Sequence, residues 1–109
     1  MQSIINKVKN LYTLNIKREI MKKTIKAEVS GKVQGVWFRA STKETADKLK
    51  LTGYAKNLTN GNVEIMATGE QDKIEILITY LSSGPKLAVV KDLQWQWVYP
   101  EIFINFETL

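Results

Sequence analysis

Apolar and polar positions alternate over residues 24–30, TIKAEVS, with Ile25, Ala27 and Val29 on one side, and this predicts a strand. Gly31 to Gly35 interrupt the alternation. From about Phe38 to Leu51 the period becomes helical, with Phe38, Thr42, Ala46 and Leu49 on one stripe, and Gly53 is the expected stop. Two more strands are predicted at 54–58 and 62–68, joined by Thr59-Asn60-Gly61, because Asn-Gly is the strongest short hairpin signal. In the second of them Val63, Ile65 and Ala67 face one way. The spacing of Ile74, Leu77, Ile78 and Leu81 predicts a helix over 71–81, ended by Ser82-Ser83-Gly84-Pro85. Residues 88–99 alternate again, placing Leu93, Trp95, Trp97 and Tyr99 on one half-covered face. A last strand is predicted at 101–107, carrying Ile102, Ile104 and Phe106.

The predicted order is β-α-β-β-α-β with an extra short C-terminal strand. That is the α+β, ferredoxin-like sandwich: an antiparallel sheet with two helices on one face. A chain of 109 residues is enough for one such domain. Residues 22–109 are assigned to it, and residues 1–21 to an N-terminal extension, a flexible tail or a short helix. In that extension Ile4, Ile5, Val8, Leu11 and Tyr12 have helical spacing, with lysines between them.

Charge sharpens this division. Residues 1–23 hold six basic side chains against the single acid Glu19, a surplus of five that equals the net charge of the whole chain. Residues 24–109 hold 10 basic and 10 acidic residues. A neutral domain lacks the basic face expected of a nucleic-acid binder, so no nucleic-acid partner is expected. No stretch is long and apolar enough to span a bilayer, and stable membrane association is not expected. The chain contains no cysteine, which fits a cytoplasmic protein.

The chain also has no histidine. Without either residue, Ser-His-Asp triads, Cys-His pairs and thiolate or imidazole metal sites are excluded. Catalysis would have to use arginine, lysine, carboxylates, amides and backbone N–H groups.

Topology suggests where such groups gather. In this fold the first two strands run parallel with the third between them, so their C-terminal ends are separated by roughly 10 Å. Into that gap the sequence directs Gly31-Lys32-Val33-Gln34-Gly35-Val36, then Arg39 in the first turn of a helix, and Asn57 from the second strand. A glycine-bounded loop can turn successive N–H groups inward as an anion nest, beside the positive end of a helix dipole. Arg39 can grip a phosphate bidentately. Taken alone, the same residues also fit a plain β–α turn with a solvated arginine, and the loop is not of the Walker type because no Lys-Ser or Lys-Thr follows Gly35.

The run Gly31-Lys32-Val33-Gln34-Gly35-Val36-Trp37-Phe38-Arg39 resembles the first signature of the acylphosphatase family. Gly53-Tyr54-Ala55-Lys56-Asn57, with Gly61, Val63 and Gly69 beyond it, resembles the second. The resemblance runs from about Lys23 to Phe106. It implies a metal-independent hydrolase with no cofactor, cleaving the carboxyl-phosphate anhydride bond of small acyl phosphates. In that family the loop amides of Gly31 to Trp37 and the arginine, here Arg39, hold the phosphate, and the asparagine, here Asn57, orients the attacking water. Inorganic phosphate or sulfate would then compete for the same loop. Two alternatives share the topology, an RNA-binding module and a non-catalytic anion- or ligand-binding regulatory domain. The first should carry a basic-Gly-aromatic run on its third strand, where this chain has Asn62-Val63-Glu64-Ile65-Met66-Ala67.

Overall fold

The computed structural model describes residues 10–14, 16 and 21–109. Its elements are β1 (Lys23–Lys32), α1 (Phe38–Lys48), β2 (Thr52–Asn57), β3 (Val63–Gly69), α2 (Gln71–Leu81), β4 (Val89–Val98) and β5 (Phe106–Thr108). They form one sheet in the order β4-β1-β3-β2-β5. The first four strands pair antiparallel, while β5 lies parallel to β2, which makes the sheet mixed at that edge.

Alternation along β1 sends Ile25, Ala27 and Val29 to one face, opposite Ala67, Ile65 and Val63 of β3. Both helices pack on that face. Phe38 and Ala46 of α1, Ile74, Leu77 and Leu81 of α2, and Phe106 of β5 join the strand residues in one buried cluster. Each of the larger aliphatic and aromatic side chains contributes roughly 1.5–3 kcal/mol through burial. α1 lies over β2 and β5, and α2 over β3 and β1. The ferredoxin-like core is therefore the one the sequence pattern predicts, with the helical stripes facing inward.

Four local expectations are corrected. First, the chain beyond β4 is not a strand over 101–107; only Phe106–Thr108 pairs. Leaving one sheet edge and returning at the other requires a crossing, and residues 99–105 make it as a strap over the helix-free face. The Thr24 and Thr68 hydroxyls, buried and 2.7 Å apart, hold the strap: Thr68 donates to the Glu101 carbonyl and Thr24 accepts from the Glu101 N–H. Phe103 meets the Tyr54 ring edge-on, while Ile102 and Ile104 point to solvent at 96% and 97% exposure.

Second, Gly53 does not end α1 but sits inside β2. The helix stops at Lys50, whose φ of 58° is left-handed. Lys50 N–H bonds to the Asp47 carbonyl and Leu51 N–H to that of Ala46, which is the Schellman pattern, closed by the buried Leu51.

Third, Gly31 and Lys32 belong to β1, not to the loop. After a bulge at Ser30/Gly31 they pair with Val90 and Val89. A β-carbon on Gly31 would lie 2.1 Å from the Val89 carbonyl oxygen, so only glycine fits this close approach.

Fourth, Tyr99 does not join the half-covered face that Trp95 and Trp97 share, opposite Ala27 and Ile25 on the helix-bearing side. On this edge strand the two tryptophans remain 41% and 39% exposed. Tyr99 lies beyond β4 and is exposed.

In the N-terminal extension, residues 10–14 and 16 are helical, with Leu11, Tyr12, Leu14 and Ile16 exposed. The expectations placed on Ile4, Ile5 and Val8 lie outside the described residues. No helix among the described residues is long and apolar enough to cross a membrane.

Candidate functional site

Of the residues predicted for the site, Val33, Gly35, Trp37, Arg39 and Asn57 meet at the C-terminal ends of β1 and β2, which run parallel on either side of β3. A cleft of about 390 Å³ opens there, lined by Val33, Gly35, Trp37, Arg39, Ala40, Asn57 and Thr108.

Residues 33–37 connect β1 to α1, and their apolar members anchor them: Val33 and Val36 are buried in the core. Gly35 has φ 73°, with open space where a side chain would be, so its glycine serves the backbone turn. Gln34 holds the loop from outside. Its side-chain amide donates both protons, to the Leu58 carbonyl at 2.9 Å and the Asn62 carbonyl at 2.8 Å. Those carbonyls belong to the β2–β3 hairpin, whose Asn60-Gly61 turn was legible in the sequence. Gln34 therefore braces the loop against the hairpin, a role its place in the motif does not reveal. Lys32 is exposed at the end of β1.

Trp37 occupies the N-cap of α1 with φ 66° and ψ 18°, and its side chain makes no capping bond. The first turn carries no acidic residue. The N–H groups and positive dipole end of this 11-residue helix thus face the cleft without a carboxylate to neutralise them. A left-handed backbone costs a residue with a β-carbon roughly 1–2 kcal/mol, and a bulky aromatic is an outlier there.

Arg39 stands in that first turn. One of its guanidinium N–H groups donates to the Leu109 main-chain carbonyl at 2.8 Å, leaving the other donors of the fork for a ligand. Asn57 closes β2. It pairs with the buried Val63, so its side chain leaves the sheet on the helix side. Its N–H points to the same Leu109 carbonyl, at 3.4 Å. One oxygen thus ties the arginine and the asparagine together.

The sequence did not reveal this tie, nor Thr108 in the cleft wall. Both depend on β5 returning beside β2, where Leu109 N–H also donates to the Ala55 carbonyl. Lys43, one turn after Arg39, donates to the Phe106 carbonyl at 2.7 Å and pins the same strand. The only hint in the sequence is the i, i+4 spacing of two cations on one helix face.

Among the described residues, no cluster of carboxylates is arranged to hold a metal ion. The Tyr54 side chain lies on the opposite face of the sheet. Tyr54 is pushed well above the ordinary tyrosine range, mainly by burial, then by its hydrogen bond to Glu64 at 2.7 Å and by the charges of Glu64 and Glu101. It plays no part in the cleft.

The acylphosphatase family model matches residues 25–108. An acylphosphatase of Coxiella burnetii is 48% identical over 82 residues, covering 75% of this chain and 86% of its own length. The solved structure of an acylphosphatase from Coxiella burnetii aligns with a TM-score of 0.81 at 42% identity, over 84% of this chain and 97% of that one. The crystal structure of acylphosphatase from Bacillus subtilis aligns at 0.77 with 31% identity, over 80% and 98%.

Proposed function

This chain belongs to the acylphosphatase family, and we propose that it hydrolyses acyl phosphates in the cleft between the 33–37 loop, Arg39 and Asn57. The observation that carries the assignment is the uncapped N-terminus of α1 facing the same cleft as an arginine and an asparagine. The substrate is a small acyl phosphate. The loop amides and the Arg39 fork hold its phosphoryl oxygens, where charge accumulates in a loose transition state. The Asn57 side chain orients a water on the side of phosphorus away from the acyl oxygen.

The water oxygen bonds to phosphorus, and the bond from phosphorus to the acyl oxygen breaks. The carboxylate leaves with that electron pair, and the water proton passes to a phosphoryl oxygen. A carboxylate is a weak base and leaves without a general acid. A chain with no histidine and no cysteine can therefore perform this reaction, whereas the far more basic alkoxide of a phosphate monoester would need help.

The same proposal makes residues 22–109 the catalytic domain and residues 1–21 an extension outside it. A chain started at Met21 is expected to keep its kcat/KM. Inorganic phosphate and sulfate act as competitive inhibitors at the loop. A cytoplasmic setting fits a chain without cysteine. The neutral domain and the absence of a basic aromatic run on β3 do not favour RNA binding, and the paired presence of Arg39 and Asn57 does not favour a silent regulatory domain.

Rates on benzoyl phosphate and p-nitrophenyl phosphate, each with and without EDTA, test the reading. Turnover of the first alone, insensitive to EDTA, is expected. Equal turnover of both, or loss of activity with EDTA, would overturn it.

A further inference from the structure

The Trp37 side chain is explained neither by the fold nor by phosphate binding. Its backbone is left-handed, where a bulky aromatic is strained, yet its ring is 77% exposed and gains little from burial. It makes no capping bond to the helix it begins. Its neighbours Val36 and Phe38 are both buried, so the loop already has its apolar anchors. A glycine would make the same turn without strain.

The cleft gives the indole a use. At about 390 Å³ it falls within the range of small-molecule sites and exceeds what a phosphate requires. The phosphate end lies at the loop and the start of α1, so the acyl end must extend toward the mouth. Of the groups lining the cleft, Val33 is fully buried, Gly35 and Ala40 are small, and Thr108, Arg39 and Asn57 are polar. Trp37 is the one large exposed apolar surface among them.

Resting on the acyl-phosphatase reading of this cleft, we propose that the Trp37 indole is the platform for the acyl group and selects flat, apolar acyl phosphates over small ones. Rings prefer offset or edge contacts with an aromatic partner, and such contacts discriminate by about tenfold.

The test is the ratio of kcat/KM for benzoyl phosphate to that for acetyl phosphate. Both substrates carry the same phosphoryl group, so any change in the loop's grip on phosphate divides out. In Trp37→Gly, which also relieves the backbone, the ratio should fall about tenfold, and in Trp37→Phe most of it should return. Trp37→Asn, a residue that tolerates the left-handed region, gives the same comparison if glycine loosens the loop. A ratio within twofold of the parent in both Trp37→Gly and Trp37→Asn would overturn the platform while leaving the hydrolytic reading intact. A parent chain that hydrolyses neither substrate would instead remove the reading on which the platform rests.

Discussion

The two ends of α1 carry the same irregularity and resolve it differently. Trp37 before the helix and Lys50 after it are the two non-glycine residues with positive φ among the described residues. At the Lys50 end the geometry is self-contained. Two N–H groups close onto Asp47 and Ala46, Leu51 tucks into the core, and the exposed lysine has no further task. At the Trp37 end nothing closes: the helix amides are uncapped, the ring is in solvent, and Arg39 stands beside them. Strain that is satisfied by its own hydrogen bonds is a device for stopping a helix. Strain beside unused donors is what the proposed phosphate site would use.

Substitutions that separate the two ends test this contrast. The largest effect is expected at Arg39, where Arg39→Ala should nearly abolish hydrolysis. Arg39→Lys should lose more than tenfold in kcat/KM, because the charge survives but the bidentate fork does not. A lysine variant retaining over a tenth of parental kcat/KM, a loss under about 1.4 kcal/mol, would contradict the role given to the arginine.

Asn57→Ala should come next, lowering kcat by roughly a hundredfold while inhibition by inorganic phosphate stays near the parental value. Normal turnover with weakened phosphate inhibition would reassign Asn57 to binding.

Gln34→Ala probes the brace beneath the open end. It strips the Leu58 and Asn62 carbonyls of their side-chain donor, so a loss of about 1–3 kcal/mol in denaturant unfolding is expected, with a raised KM. Unchanged stability and KM would show that the loop stands without it.

The smallest effect belongs to the closed end. Lys50→Gly should raise stability by about 0.5–1 kcal/mol and leave kcat/KM untouched, since it removes left-handed strain at a position with no ligand. A drop in activity there would erase the distinction between the two ends.

The parts of the fold that were legible in the sequence are those built from near neighbours in the chain. The stripes Phe38-Thr42-Ala46 and Ile74-Leu77-Leu81 became the inward faces of α1 and α2. Asn60-Gly61 became the β2–β3 turn. The residues proposed for the site lay within one signature and a single later strand, so topology could bring them together.

What escaped the sequence depends on distant partners. Ile102 and Ile104 alternate as a strand would, yet the need to cross the sheet made that stretch a strap with Phe103 inward. Gly53 looked like a helix stop because glycine usually is one, but the Schellman bonds formed at Lys50 first. Gly31 looked like loop and was claimed by the backbone of β4.

The bond from Arg39 to the Leu109 carbonyl has a consequence in time. It joins residues 70 positions apart, so forming it requires closing one of the longest loops in the domain. During synthesis, at about 5–20 residues per second, the loop, α1 and Asn57 are made well before residue 109. Until then the guanidinium has no carbonyl to orient it, and the Asn57 N–H lacks the same partner. On the proposed reading of the cleft, catalytic competence therefore comes later than most of the framework that supports it, and a nascent chain paused before β5 would hold the 33–37 loop with Arg39 still unaimed.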